Sequence, residues 1–595
     1  MDKTADYGSM TYPETPVKLP ANKAQAEYGS DVMADVISAM GFKHIFVLPG
    51  SSFRGLHDSL VNHLRNQNPE MIMANHEAIV VAMAHGYAKA TGQASACVVH
   101  DLVGLMCASV SVFDAWADRV PIVIFGGSGP QDPASRRPID WTHTASMQCD
   151  LVKPFAKWTA EPVTLQASVD TMLRAGKIAA SKPCGPTYVS LDLGVQEQDM
   201  PDDLVVPDAN LARYQPPPAM AANADAIDQA VDMLLAAENP LIVGGRIGRD
   251  VGSSDLLVEL VELSGAAYVE DRAVVCMPTF HPQNLNGDPT IRKAADVIMT
   301  IDCVDPTTVA EAHNADIRGR DGQKIIEMTL ENLYPSSWSN VGGPQGAIEL
   351  TLECEPQAGM RQMIDALKAR TGREDRIAAR REKLAAAHAE LRRAQKDKSQ
   401  ENWDGVPIAT ARMTHELYQA VKDKPWVLAV RNHRSFPEGL WEFTGSGQYL
   451  GADGGGGVGY GPGAAVGAAL AYREQGKFTV AIVGDGDFQM GGGAIWTAVH
   501  YKIPVLIVIN NNNSWGNDEI HQRNIARRRG RPVENAWIGQ RMTEPATDYA
   551  AIVRGYGGWA EGPVTDPNSL ADVFGRAVAE VDKGNVAVVD VRTGL

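Results

Sequence analysis

The sequence lacks the features that mark membrane, disulfide-rich and nucleic-acid-binding proteins. No apolar run reaches the roughly 20 residues that span a bilayer, and no secretory signal pattern opens the chain. The seven cysteines include no Cys-x-x-Cys pair, which indicates reduced thiols. Lysine and arginine number 54 against 72 acidic residues, and the net charge of −18 leaves no basic surface for nucleic acid. We therefore expect a cytoplasmic protein that binds neither nucleic acid nor membrane.

Length and composition predict a globular protein of several domains. A chain of 595 residues is too long for one hydrophobic core, and about three or four domains of ordinary size are expected. Apolar runs at 46–48, 96–99 and 121–125 alternate with helical patterns and stop at glycine or polar residues. This repeating βα pattern is typical of a doubly wound parallel sheet.

We predict an α/β fold with three doubly wound parallel-sheet domains. The predicted parts are an arm at 1–24, a first domain at 25–200, a central Rossmann-like domain at 220–354, a charged helical linker at 355–404 and a last domain at 405–595. The arm is polar and contains proline, so we expect it on the surface or against a partner subunit. The turn Gly244 to Gly248 after a central strand lacks a full GxGxxG, and we expect this domain to bind no nucleotide.

The segment Val480 to Gly516 carries the strongest chemical signal. One predicted strand ends at Gly484-Asp485-Gly486, and the next ends at Asn511-Asn512. Because parallel strands present ligands at their carboxyl ends, these side chains are expected to face one point. Carboxylate, amide and carbonyl oxygens suit Mg²⁺, and the glycines allow a phosphate to approach the backbone. An ordinary Asp-Gly turn is the alternative for Asp485 alone.

This segment resembles the diphosphate-binding motif of thiamine-diphosphate (ThDP) enzymes, in which Asn-Asn follows Gly-Asp-Gly at the same interval. Here Asn512 stands 27 positions after Asp485. The resemblance implies Asp485, the Asn512 side chain and the Ser514 carbonyl as Mg²⁺ ligands. It also implies contacts of Gly484, Gly486 and Asp487 with the cofactor.

The first domain contains a second motif of the same family. Glu77 opens HEAIVVAMAHGYAKATG, and an acidic residue there also suits the first turn of any helix. The motif resembles the one that carries the family's catalytic glutamate. The resemblance implies that Glu77 hydrogen-bonds the pyrimidine ring, so that the first domain binds the pyrimidine and the last domain the diphosphate.

A glycine-rich stretch supplies further cofactor candidates. Gly454, Gly456 and Gly459 satisfy GxGxxG, but we interpret this as a chance match because glycine is abundant there. The stretch resembles the GG(L/M)G segment of ThDP enzymes, which implies that the Gly456 carbonyl lies near the aminopyrimidine and that Val458 bends the cofactor. The family more often has Leu or Met at that position. The residues after an earlier strand, His433 and Ser435, are further cofactor-binding candidates.

Candidate substrate residues follow from a narrower resemblance. His100 stands 23 positions after Glu77, and Ser51 lies in Pro-Gly-Ser after a strand. Both features are similar to benzoylformate decarboxylases, which implies proton transfer by His100 and a carboxylate contact for Ser51. That enzyme's second active-site histidine finds no match in the central domain. Gln148 and Asn517 are the remaining candidates for substrate contact.

The segment after Ser514 is predicted to be a loop or lid, because Gly530 and Pro532 interrupt it. It contains the basic cluster of this acidic protein, at Arg523, Arg527, Arg528, Arg529 and Arg531. A solvated or subunit-bridging surface is the ordinary interpretation. The alternative is a guanidinium that reaches an anionic substrate.

Three functions stay open from the sequence. The first is non-oxidative cleavage or formation of a C–C bond next to a carbonyl, by a 2-oxo acid decarboxylase or acyloin lyase/ligase with ThDP and Mg²⁺. The second is carboligation of the acetolactate-synthase type; FAD is not predicted, although related enzymes sometimes hold FAD or ADP in the central domain. The third is a silent cofactor-binding scaffold. A 2-oxo acid or 2-hydroxy ketone is the expected partner, and the resemblance implies a homo-oligomer, a dimer of dimers.

Overall fold

Three parallel sheets organise the protein, and the predicted fold class is confirmed. The computed structural model describes residues 14–16, 25–271, 275–306, 323–333, 347–431, 438–451 and 454–594. Most of the predicted arm lies outside these residues. Its described part includes Glu14, whose carboxylate accepts a hydrogen bond from the Tyr501 hydroxyl at 3.1 Å. No helix of the described ranges is long and apolar enough to cross a membrane.

The first sheet has the strand order β2-β1-β3-β4-β6-β5. Its strands are β1 His44–Val47, β2 Glu70–Met73, β3 Ser95–Val99, β4 Ile122–Ser128, β5 Trp158–Ala160 and β6 Thr187–Asp192. The helices around it are α1 Gly29–Ala39, α2 Arg54–Asp58, α3 Glu77–Thr91, α4 Leu102–Ala117, α5 Pro138–Thr142, α6 Leu165–Ala180 and α7 Leu193–Glu197. The strand order reverses direction between β1 and β3, and such a switch point opens a crevice at the carboxyl ends of the strands.

The central sheet has the order β11-β10-β9-β7-β8. Its strands are β7 Pro240–Gly244, β8 Ala267–Glu270, β9 Val297–Ile301, β10 Lys324–Thr329 and β11 Leu350–Glu353. Its helices are α8 Ala224–Ala236, α9 Ser253–Ser264, α10 Ile291–Ala294 and α11 Pro356–Lys368. The predicted end of this domain at 354 is too early, because Met360, Met363 and Leu367 of α11 are buried in the same core as α8 and α9.

A charged helix, α12 Glu374–Ser399, follows the central domain. Along its length only Ser399 is buried. It is nevertheless attached to the central domain, since Arg376 donates a hydrogen bond to the Ala237 carbonyl. The charged segment predicted within 355–404 is therefore this helix alone, without α11.

The last sheet has the order β12-β13-β14-β16-β15. Its strands are β12 Trp426–Arg431, β13 Phe478–Gly484, β14 Val505–Asn511, β15 Trp559–Val564 and β16 Val586–Arg592. Its helices are α13 Thr410–Val421, α14 Tyr460–Arg473, α15 Asp485–Gly491, α16 Ala494–His500, α17 Gly516–Arg528, α18 Tyr549–Gly555 and α19 Leu570–Asp582. Helix α15 begins directly at Asp485, without the turn that the glycines predicted, because Asp485 and Asp487 suit the first helical turn.

Helices α3 and α14 join the first and last domains. Their residues belong to one hydrophobic core that runs from the first sheet to the last. The backbones touch where glycine replaces a side chain: a Cβ on Gly86 would lie 2.0 Å from the Ala464 carbonyl oxygen, and one on Gly467 would lie 2.0 Å from that of Met83. The close crossing depends on these glycines.

We expect Gly467→Ala to destabilise the protein by about 1–3 kcal/mol, because the added methyl group collides with rigid backbone. Thermal or denaturant unfolding measures the change. Gly575→Ala is the matched control, since Gly575 lies inside α19 and a Cβ there meets nothing within 4 Å. It should be neutral or slightly stabilising. Equal free energies of unfolding for the two variants would contradict the proposed importance of the crossing.

Candidate active site

Asp485 is a buried carboxylate at the carboxyl edge of the last sheet. Its side chain follows β13, and its Oδ1 accepts a hydrogen bond from the Gly486 N–H at 3.0 Å. Oδ2 is buried and has no hydrogen-bond partner among the residues that the structure describes. Burial raises the pKa of Asp485 to about 6, although nearby N–H groups of Gly486, Asn513 and Ser514 oppose the shift. A buried carboxylate oxygen without a partner is costly unless a cation or proton binds it.

The asparagine loop after β14 faces this carboxylate, as predicted. Strands β13 and β14 are paired, with Gly484 opposite Asn510. The side chain of Asn512 accepts a hydrogen bond from the Ser514 N–H at 2.8 Å. Asn513 adopts a positive φ of 52°, a conformation that asparagine tolerates better than most residues. The loop thus brings Asn512 and Ser514 to the same edge as Asp485.

A second buried acid, Asp590 on β16, was not predicted from the sequence. Its Oδ1 accepts a hydrogen bond from Asn511 Nδ2 at 2.9 Å. Burial is the main cause that raises the pKa of Asp590 to about 6, and the nearby charge of Asp485 contributes to the increase. A single acid inside the apolar run Val586 to Val591 is the signal that could have identified it.

These residues fit a divalent cation. The partnerless oxygen of Asp485, the amide oxygen of Asn512 and the Ser514 carbonyl are hard donors of the kind that Mg²⁺ takes. A cation would also relieve the repulsion between Asp485 and Asp590. The roles of the three donors stay predictions.

Glu519 anchors the loop from the other side. It is fully buried and accepts a hydrogen bond from Ser514 Oγ at 2.7 Å. Arg541, the same Ser514 hydroxyl and Arg523 together lower its pKa to about 2. The prediction of a loop or lid is wrong for residues 516–528, which form helix α17. Gly530, with φ 62°, follows the end of this helix. The prediction gave too much weight to Gly530 and Pro532, which lie after the helix.

The glycine-rich stretch is held by two aspartates. Asp487 Oδ1 accepts hydrogen bonds from the N–H groups of Gly459 at 2.7 Å and Gly461 at 3.3 Å. Asp114 of α4, which the sequence did not identify, accepts one from the Gly457 N–H at 3.2 Å. Asp114 therefore links the first domain to this stretch.

Gly456 and Val458 are both exposed in the glycine-rich stretch. Gly456 has φ 74°, which favours glycine. Val458 leaves 43% of its surface exposed, as an apolar side chain that awaits a ligand or partner would. Their contacts with the cofactor stay predictions.

Glu77 and His100 lie on either side of one glycine. Glu77 opens α3, where His76 caps the helix by accepting a hydrogen bond from the Ala78 N–H at 3.1 Å. A Cβ on Gly104 would lie 3.0 Å from Glu77 Oε1 and 2.8 Å from His100 Cβ. The structure thus brings together the two residues that the sequence proposed for catalysis.

Ser52, the residue after the candidate Ser51, is the hydroxyl beside His100. Ser52 Oγ lies 2.7 Å from His100 Nδ1 in a hydrogen bond. Asp101 Oδ1 lies farther from the ring, 3.7 Å from Nε2. Burial, assisted by the neighbouring His143, lowers the pKa of His100. Ser51 is exposed at the start of the short helix Ser51–Phe53, where its substrate contact stays a prediction.

The remaining candidates have different outcomes. Gln148 does not fit a substrate contact, because it is 1% exposed and its Nε2 lies within hydrogen-bond distance of the Gly127 carbonyl, Tyr188 and Ser190 inside the first domain. Asn517 is exposed near the start of α17. His433 and Ser435 lie outside the described residues.

Two family models match the domains that carry these motifs. The thiamine pyrophosphate enzyme N-terminal TPP binding domain matches residues 28–152. The thiamine pyrophosphate enzyme C-terminal TPP binding domain matches residues 432–591. The matched ranges contain Glu77 and His100 in the first case and Asp485, Asn512 and Ser514 in the second.

Similar proteins extend over nearly the whole chain. Acetolactate synthase isozyme 3 large subunit of Escherichia coli K12 is 23% identical, covering 95% of this chain and 94% of that protein. Benzoylformate decarboxylase of Pseudomonas aeruginosa PAO1 is 25% identical, covering 82% and 85%. The fold matches the 4-hydroxybenzoylformate decarboxylase of Rhodococcus jostii RHA1 with a TM-score of 0.73, 20% identity and coverage of 96% and 99%. With both cofactor-binding domains in place, the chain is a ThDP-dependent enzyme and belongs to the thiamine pyrophosphate enzyme family.

Proposed function

We propose that this enzyme uses ThDP and Mg²⁺ to cleave or form a C–C bond next to a carbonyl without oxidation, as a 2-oxo acid decarboxylase or acyloin lyase/ligase. The observation that carries the proposal is the placement of Glu77 and His100 around Gly104. A glutamate and a histidine that both contact one glycine of α4 can provide a cofactor contact and a proton-transfer group together. The similarity to benzoylformate decarboxylase over 82% of the chain supports this choice.

The residues of this chain have separate roles in the proposed reaction. When bound, ThDP supplies a nucleophilic carbon for addition to a carbonyl. Asp485, Asn512 and Ser514 hold the metal, and Asp487 and Asp114 keep the glycine-rich stretch in position. Glu77 hydrogen-bonds the pyrimidine ring. His100, with a lowered pKa and therefore neutral near pH 7, can accept a proton from the substrate and return it.

Carboligation of the acetolactate-synthase type is the second candidate. The Escherichia coli acetolactate synthase subunit aligns with 95% of this chain, which favours it. A flavin in the central domain has less support. Arg246 beside its glycine turn is buried and paired with Glu331 at 2.6 Å, and a Cβ on Gly245 would lie 2.1 Å from the Asp302 carbonyl oxygen. Flavin absorbance of the purified protein distinguishes the two candidates.

The active unit is proposed to be at least a dimer, and two dimers would form the homotetramer. Glu77 lies against α4, whereas Asp485 lies against the asparagine loop. Exposed apolar side chains lie on the same elements: Met106 and Val110 on α4, Val458 in the glycine-rich stretch and Met490 on α15, with exposed fractions between 43% and 60%. A second copy would cover them and complete each site.

The seven cysteines are free thiols, which supports a cytoplasmic location.

Cofactor binding should require Mg²⁺ and Asp485. We expect calorimetry with ThDP to show about a hundredfold weaker binding without divalent metal or in Asp485→Ala, because the diphosphate then lacks its counter-charge. Asp566→Ala is the control, since Asp566 only caps a short helix on the surface of the same domain. Equal affinity with and without metal would contradict the proposed ligand set.

Shared sites can be tested by mixing two inactive variants. Glu77→Gln and Asp485→Ala chains, combined by subunit exchange, should recover roughly a quarter of wild-type activity, because half of the dimers are hybrids with one intact site. A mixture of Glu77→Gln with the double variant should recover none. If tagged chains prove that hybrids form and activity still does not return, each chain completes its own site.

A panel of 2-oxo acids and 2-hydroxy ketones, with detection of CO₂ and aldehyde, identifies the reaction. On the best substrate, His100→Ala should lower turnover by about a hundredfold or more, the usual effect of losing a general acid–base group. ThDP affinity should stay unchanged, because His100 acts on the substrate. His415→Ala, a half-buried histidine on α13, is the control. Near-normal turnover of His100→Ala would show that the histidine is structural, and acetolactate as the main product would favour carboligation.

A further inference from the structure

A cavity of about 900 Å³ opens beside the edge strand β5 of the first domain. It lies between α6 and the chain segment 205–214 that leads to the central domain. In the strand order, β5 is three positions from β3, whose end carries His100. The residues assigned above to the cofactor and substrate do not line it.

The cavity is cationic in an acidic protein. Lys157, Arg174, Lys177 and Arg213 line it, against one carboxylate, Asp170. The whole chain has a net charge of −18, so a local excess of positive charge is unexpected on composition alone. Such a concave cationic surface concentrates anions.

The two arginines are positioned by aromatic rings. The guanidinium of Arg174 lies over the Trp158 ring at 5.3 Å, and that of Arg213 over the Tyr214 ring at 5.1 Å. Stacking restricts the motion of a guanidinium, while its N–H groups stay directed outward in the plane of the guanidinium itself. Among the described residues, no carboxylate lies within ion-pair distance of Arg174 or Arg213. Their hydrogen-bonding capacity is therefore available to a ligand.

Lys157 contributes a third cation that is fixed in place. Its Nζ donates to the carbonyls of Ile178 at 2.7 Å and Ser181 at 2.5 Å, at the end of α6. An ammonium group has three donors, so one is left for a ligand. Burial lowers the pKa of Lys157 to about 8, and a bound anion would favour the charged form.

The segment 205–214 forms the outer wall of the cavity and is attached to α6 at both of its ends. Gln166 exchanges two hydrogen bonds with the backbone of Val205, at 2.9 and 3.1 Å. Lys177 Nζ donates to the Arg213 carbonyl at 2.9 Å. These contacts hold the segment 205–214 against α6 and keep the cavity open between them.

We propose that this cavity binds a small diphosphate-bearing anion. Three or four cations that line one cavity and have unused donors suit several phosphate oxygens better than a single carboxylate. Free pyrophosphate and the diphosphate of a nucleotide share this chemistry. The volume has room for either, and binding would link the first domain to the segment that leads to the central domain.

Calorimetric titration of the enzyme saturated with ThDP and Mg²⁺ tests the proposal, because the cofactor site is then filled. We expect saturable binding of pyrophosphate and of ADP, weakened by added salt. Tighter binding of ADP would identify a nucleotide site, and equal binding would indicate recognition of the diphosphate alone. Arg174→Met/Arg213→Met should weaken the binding at least about tenfold, since methionine keeps the packing and removes the charge.

Two controls separate this site from other effects. Arg361→Ala/Arg393→Ala removes the same charge from exposed positions outside the cavity and should bind as the wild type. Asp485→Ala should keep pyrophosphate binding whether or not the proposed cofactor site is correct. Absence of saturable binding to the wild type, or equal affinity of the wild type and the Arg174/Arg213 variant, would overturn the proposal.

Discussion

The crossing of α3 and α14 is the contact on which the rest of the structure depends. Each helix has a glycine at the point of contact, Gly86 and Gly467, so the backbones meet without intervening side chains. The two helices lie in one continuous core with residues of the first and last sheets. Because Glu77 opens α3 and the glycine-rich stretch leads into α14, this crossing sets the spacing between the two sets of site residues within one chain.

Electrostatics at the last sheet explains why the site should bind a cation. Asp485 and Asp590 are both buried, and within the described part of the chain each carries an oxygen without a hydrogen-bond partner. A protein that only needed stability would gain from replacing such groups, because buried charge without compensation is unfavourable. Two such carboxylates at one sheet edge therefore support the proposed cation site. Glu519 shows the contrast, since hydrogen bonds and arginines satisfy its buried carboxylate and lower its pKa to about 2.

The structure also changes the expected substrate side of the site. His100 Nδ1 shares a hydrogen bond with the hydroxyl of Ser52, which is buried, whereas the neighbouring Ser51 is exposed. That contact orients the imidazole from Nδ1. Gln148, by contrast, uses its amide inside the first domain, where it joins β4 and β6 through Gly127 and Ser190. The orientation of the side chains decided that Ser52 contacts His100 and that Gln148 is held inside the first domain.

The sequence by itself determined the three parallel sheets and the positions of Asp485, Asn512 and Glu77. Apolar strand runs and short motifs are local patterns, and the carboxyl ends of neighbouring parallel strands necessarily meet at one edge. Only the tertiary structure decided that Asp114 reaches the glycine-rich stretch, that Asp590 lies beside Asp485 and that 516–528 is a helix. The first two contacts join residues 343 and 105 positions apart in the chain, and the third depends on Glu519 being buried among Ser514, Arg523 and Arg541. No local pattern encodes the contacts of Asp114 and Asp590, because packing between distant segments sets their free energy.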